Sequence, residues 1–111
     1  MQSVLTRPQG AVIRPQGPVI AATASELHGQ LTQAVLSNHC DALVVDMSQV
    51  DSLDSAGLMA LVSTLHLAQK ANKRFTLCSL PAPIRIIFEL SQLDRAFEIV
   101  EHPSTFEAMA A

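Results

Sequence analysis

Residues 42–58 read Ala42-Leu43-Val44-Val45-Asp46-Met47-Ser48-Gln49-Val50-Asp51-Ser52-Leu53-Asp54-Ser55-Ala56-Gly57-Leu58. The first six are an unbroken apolar run apart from one aspartate, and polar residues bound them. Such a run fits a strand buried on both faces of a largely parallel sheet, and helices must then cover that sheet. A polar loop, Ser48 to Asp54, follows, and then a helix over Gly57 to Ala71 with Leu58, Leu61, Leu65 and Ala68 facing the core. Lys70 and Lys73 are expected to close that helix near its negative dipole end. A buried strand, a loop and an amphipathic helix in this order predict an α/β fold.

Reading outward supports the same class. Upstream, Thr23-Ala24-Ser25-Glu26 has the form of a capping box. A helix of about four turns should follow, with Leu27, Leu31, Ala34 and Val35 inward and its end near Asn38-His39. The first twenty residues hold Arg7-Pro8-Gln9-Gly10 and Arg14-Pro15-Gln16-Gly17. They are read as turns, with strands Val4 to Arg7 and Ala11 to Arg14 pairing as a hairpin. Downstream, Arg74 to Cys78 alternates like a strand, and Pro81-Ala82-Pro83 opens a helix with Ile84, Ile87 and Phe88 on one side. Ile86, Leu90 and Leu93 lie on its other flank, which is either a second partner surface or, as the better reading, the lid of the core. Phe97 to Val100 makes a last strand, and Pro103 opens a terminal helix carrying Phe106 and Met109. The expected order is β-β-α-β-α-β-α-β-α, a single domain over 1–111.

At 111 residues with 49% hydrophobic content, the chain can bury about two-thirds of its unfolded surface without staples. Seven Lys plus Arg against ten Asp plus Glu leave a net charge of -3 and no basic stripe, which argues against nucleic acid. With no Trp or Tyr and four Phe, stacking platforms for bases or sugars are absent. The longest uncharged run, Ser55 to Gln69, is too short and too polar for a membrane span. No basic segment followed by an apolar stretch opens the chain, so the cytoplasm is the expected compartment. Cys40 and Cys78 form no C-x-x-C and are expected to be reduced thiols.

Most catalytic templates fail. Four glycines form neither a G-x-x-x-x-G-K-[ST] nor a G-x-G-x-x-G loop, so phosphates have no visible cradle. Ser55 lies in Asp54-Ser55-Ala56-Gly57 and not in the G-x-S-x-G elbow of a hydrolase. His28, His39, His66 and His102 show no metal-ligand spacing, and no cofactor is expected. Asp46, ending a buried strand, invites comparison with the phosphoacceptor of a receiver domain. That reading lacks its partners: Gln2 to Ser25 contain no acidic residue to hold a metal, and Ser79-Leu80-Pro81 supplies no lysine after the next strand.

The strand running from Leu43 to Asp46 into Met47-Ser48, the loop Val50 to Leu53, and Asp54-Ser55-Ala56-Gly57-Leu58 together resemble the STAS family, the sulfate transporter and anti-sigma factor antagonist domain. The resemblance extends to the turn and helix start from Gly17 to Leu27, and it covers nearly the whole chain. It implies a mixed, mostly parallel sheet with an N-terminal hairpin and about four helices. Among stand-alone bacterial members it implies an anti-sigma factor antagonist. Such a protein binds a serine-kinase anti-sigma factor, is switched off by phosphorylation at the position of Ser55, and is reset by a PP2C-type phosphatase. It would be substrate and ligand, not an enzyme. Ala56 stands where many members carry a second hydroxyl, and Ser52 is a second candidate acceptor. Ile20 departs from an Asp often found in its place. The alternative is a STAS scaffold or accessory subunit of a lipid-transport or signalling complex that is not phosphorylated. A weak homodimer is left open, and no membrane partner is expected.

The physics of the segment suits a switch. A phosphate at Ser55 would sit at a helix start, where unpaired amides and the positive dipole end tolerate an anion. Either Ser55 or Asp54 could instead be that helix's cap. Ser55, Met59, Ser63 and His66 fall on one outward stripe, which with Asp54, Ala56 and Gly57 makes the expected partner-binding set. Met59 could equally be packing. From Pro15 to Gln69 there is no Lys or Arg, while Glu26, Asp41, Asp46, Asp51 and Asp54 make the stretch acidic. A phosphate there adds charge of the sign already present.

Overall fold

The computed structural model describes residues 10–38 and 41–102. Six strands, three α-helices and a short 3-10 helix follow one another among them. They are β1 Gly10–Ile13, β2 Gly17–Val19, α1 Ala21–Leu36, β3 Ala42–Asp46, β4 Val50–Leu53, α2 Ser55–Lys70, β5 Arg74–Cys78, α3 Ala82–Leu90, the 3-10 helix Leu93–Arg95, and β6 Glu98–Val100. One sheet has the order β1-β3-β5-β6 and a second pairs β2 with β4. Every pairing among them is parallel. This is the α/β architecture expected. The strand Val4 to Arg7 with its hairpin, the terminal helix opened by Pro103, and Cys40 lie outside the described residues. Three of the expected helices are therefore seen.

β3 is central because all five of its residues are buried. Its alternate residues serve two cores. Leu43 and Val45 join Phe75, Leu77 and Ile99 on the face that meets Leu27, Leu31, Leu61, Leu65, Ile84 and Phe88 of the helices. Ala42 and Val44 join Cys78 and Val100 on the other face. Residues of all three helices pack on this first face. Phe97 pins α3 there, edge-on to Phe88 at 5.3 Å and tilted against Phe75 at 6.1 Å. Cys78 is a free, buried thiol, and burial pushes its pKa up, away from reactivity.

Several expectations are corrected. The segment Ser48 to Asp54 is not all loop, because Val50–Leu53 pairs with β2. The Gly17 amide donates to the Gln49 carbonyl at 2.9 Å and the Asp54 amide to the Val19 carbonyl at 3.3 Å. Two acidic-polar residues, Asp51 and Ser52, hide this strand from any periodicity. α1 begins at Ala21, so Thr23 is its third residue and not its cap; the Thr23 hydroxyl accepts from the Ile20 amide at 3.0 Å and donates to the Pro18 carbonyl at 2.9 Å. α2 begins at Ser55, two residues before Gly57. The Lys73 backbone amide closes the last turn of α2 on the Ala68 carbonyl at 2.9 Å, but its ammonium does not serve that helix end; it reaches the α1 carbonyl ends at Val35 and Ser37, at 2.5 and 2.7 Å. Ile86 and Leu90 do not close the core either, being 51% and 81% exposed, and Leu93 alone of that flank packs on it. An i, i+3, i+4 pattern marks both flanks of α3 alike, but Ile84 and Phe88 are the ones buried, with Ile87 partly buried against the same core.

Candidate functional site

The helix starts of α1 and α2 meet at one carboxylate. Asp54 caps α2, its Oδ1 accepting from the Gly57 amide at 2.9 Å. Its Oδ2 accepts from the Ala21 amide at 3.0 Å, in the first turn of α1. The Gly57 amide, and after it the Ala21 amide, hold the Asp54 carboxyl below the usual aspartate value. Of the two candidate caps, then, Asp54 takes the place. Ser55 is left as the first helical residue, exposed, with its hydroxyl free of a capping task.

The sequence-derived set divides by depth. Asp54, Ser55, Met59, Ser63 and His66 are all exposed, and Met59 is 57% exposed, so it does not pack in the core. Ser55, Met59, Ser63 and His66 lie on α2 opposite Leu61 and Leu65, and Asp54 stands at its cap. Ala56 is half-buried and Gly57 is buried. A Cβ on Gly57 would lie 2.1 Å from the Val19 carbonyl oxygen and 2.9 Å from the Leu53 side chain. Glycine is required there because α2 rests directly on β2 backbone, and this seats Ser55 above the end of β4. Ser52 is exposed on β4, its hydroxyl 3.4 Å from an Asp51 carboxylate oxygen.

Asp46 belongs to the frame beneath. Its side chain is nearly buried; Oδ2 accepts from Arg14 Nε at 2.9 Å and Oδ1 from the Ser48 amide at 2.9 Å. Burial pushes its pKa up, but the Ser48 and Arg14 bonds outweigh that and leave it lowered. Both carboxylate oxygens are engaged where the chain leaves β3 for β4, a structural role unlike that of a phosphoacceptor.

A family model for the STAS domain matches residues 2–106. The chain belongs to the STAS family. Among solved structures, this STAS domain is similar to an anti-sigma factor antagonist from Mycobacterium paratuberculosis, at 26% identity and TM-score 0.80 over 92% of this chain and 86% of that one. It also resembles the Bacillus anti-sigma factor antagonist SpoIIAA, solved in unphosphorylated and phosphorylated forms, at 15% identity and TM-score 0.70. That match covers 96% of this chain and 91% of the unphosphorylated or 96% of the phosphorylated one. A sulfate transporter family protein from Wolinella succinogenes matches at 18% identity and TM-score 0.80, over 92% and 84%.

One structural contact at this site of the STAS domain escaped sequence reasoning. Ile20, at the α1 cap, has no side-chain acceptor, so α1 depends on Asp54, 33 residues further on, for its first amide. The apolar residue at the cap was the available signal, since a helix start without a local acceptor must find a distant one.

Proposed function

We propose that the protein is an anti-sigma factor antagonist that binds a serine-kinase anti-sigma factor through the exposed stripe of α2 and is switched off when that kinase phosphorylates Ser55. A PP2C-type phosphatase returns it to the binding form. The observation that carries this reading is the seat of Ser55: exposed, in the first turn of α2, beside a carboxylate that already caps the helix. Because Asp54 does the structural work, the Ser55 hydroxyl can be modified without removing a support of the fold. The family membership and the resemblance to SpoIIAA support the same role.

The energetic consequence is local. Phosphorylation adds about -1.5 to -2 charges next to Asp54 and Asp51, and a docked, partly desolvated interface bears that poorly. The helix start tolerates it. Binding is lost while folding is kept.

Incubation with the serine-kinase anti-sigma factor and ATP, followed by intact mass, tests this directly. One phosphate on the wild type and none on Ser55→Ala is the expected result. No phosphate on the wild type would replace this reading by that of a constitutive scaffold or accessory subunit, the reading favoured by the likeness to the Wolinella protein.

A further inference from the structure

Two helices turn apolar side chains to solvent on the same side of the sheet. Among the described residues, Met59 on α2 is 57% exposed, and Ile86 and Leu90 on α3 are 51% and 81% exposed. We infer that they belong to one docking surface, on which Ile86 and Leu90 receive an apolar patch of the same partner protein that meets Ser55; the inference rests on Ser55 being the seat of that partner. Leu61 and Leu65 of α2 and Ile84 and Phe88 of α3 pack on one face of the sheet, so the opposite flanks of both helices look outward in one direction. β3, β5 and β6 are parallel neighbours, and helices that join such strands run back side by side. β4 leads through Asp54 into Ser55, and α3 packs against β4, which brings α3 beside the switch. The fifth and ninth residues of α2 are Met59 and Ser63; those of α3 are Ile86 and Leu90. Arg85 leans the other way, to Glu101 beyond β6 at 3.6 Å, and Leu90 lies about 140° round the helix from it, toward α2.

Size and charge name the occupant. A stable protein contact takes about 800 Å² and about 20–30 residues from each partner, and the α2 stripe by itself offers too few. Helices side by side on a sheet are separated by roughly 10 Å, so a contact of that area centred on α2 covers the outer flank of α3 as well. Apolar residues at the centre with the exposed Ser55, Ser63, His66 and Glu89 around them have the anatomy of such a contact. A second copy of this chain fits poorly. Two-fold pairing over this surface would set Asp51 and Asp54 against their own copies, and from Pro15 to Gln69 there is no Lys or Arg to offset them. The apolar contact on α3 supplies affinity, and the charge of a phosphate on Ser55 opposes it.

The test is the affinity of the full chain for the serine-kinase anti-sigma factor, measured by calorimetry with ADP in place of ATP so that no phosphate is transferred. Leu90→Ser should weaken binding at least about tenfold and Ile86→Ser about threefold or more. Leu36→Ser is the control: Leu36 is 59% exposed but ends α1, at the far end from the Ala21 bond to Asp54, and its loss should leave binding unchanged. All three residues are exposed, so unchanged melting temperatures will show that the variants are folded. Full affinity in Leu90→Ser, an equal loss in Leu36→Ser, or a wild-type dimer in sedimentation equilibrium that Leu90→Ser dissociates would each overturn the assignment. No binding by the wild type would overturn it together with the docking role of the Ser55 face. Weakened binding in Leu90→Ser with no phosphate added to the wild type by ATP would keep this surface and sink the switch alone.

Discussion

The amide of Ala21 donates to Asp54 Oδ2 at 3.0 Å, across 33 residues, while the other oxygen of the same carboxylate caps α2 at Gly57. One side chain thus holds the start of both helices and fixes where Ser55 stands relative to α1.

This double bond separates the two conservative replacements of Asp54. Asn offers one acceptor oxygen and can serve Gly57 or Ala21, not both; Ala serves neither. Melting temperatures should fall in the order wild type, Asp54→Asn, Asp54→Ala, and amide exchange at Ala21 should quicken in Asp54→Ala. Equal melting temperatures for all three would show that the shared carboxylate does not couple the helices.

Acid sensitivity follows from the same groups. Asp46 and Asp54 both bind protons less tightly in the folded chain than at the ordinary aspartate value of 3.8. Their contribution is fully present above that value and is lost as pH falls through their lowered folded values. Urea midpoints measured from pH 6 down to pH 2 should drop below about pH 4, and the drop should be smaller in Asp54→Ala.

Gly57→Ala should destabilise the domain. The new methyl would meet the Val19 carbonyl oxygen at 2.1 Å, a backbone atom that cannot step aside. Overpacking of this kind costs about 1–3 kcal/mol and exceeds the helix-propensity gain of about 1 kcal/mol. Denaturant unfolding gives the number, and a neutral result would mean that α2 can lift from β2.

Ser55→Asp should leave the melting temperature within about 2 °C, since surface changes that remove no special contact usually stay within about 0.5 kcal/mol. Affinity for the kinase should fall at least about tenfold, equivalent to about 1.4 kcal/mol. Large unfolding instead would make Ser55 a structural residue.

Leu90 and Leu61 offer a contrast in burial. Leu90 is 81% exposed and Leu61 is fully buried. Leu61→Ala should cost about 2–5 kcal/mol and Leu90→Ala less than about 0.5 kcal/mol. Similar costs would return the outer flank of α3 to the core.

Much of this fold could be read along the chain. The β5 strand Arg74–Cys78 has the bounds its sequence predicts, because apolar alternation and flanking polar residues are local signals. β3 ends one residue before the apolar run does, at Asp46, and is legible for the same reason. The exposed stripe of α2 followed from helical periodicity, which depends only on the spacing of Leu61, Leu65 and Ala68 against Met59, Ser63 and His66.

What stayed hidden depends on partners far away in sequence. β4 is a strand because β2 lies beside it, and Asp51 and Ser52 carry no sign of that pairing. The exposure of Ile86 and Leu90 was decided by the direction in which α3 rolls onto Phe97, which no pattern within α3 records. The clearest case is the pair of helix ends. Asp54 joins the starts of α1 and α2, and Lys73 reaches the last carbonyls of α1 from beyond the end of α2. Sequence alone determined that Asp54-Ser55 opens a helix, since capping and dipole effects act within one turn. Only the tertiary structure decided that Asp54, and not Ser55, is the cap, because the amide of Ala21 reaches that carboxylate only when the two helices pack side by side.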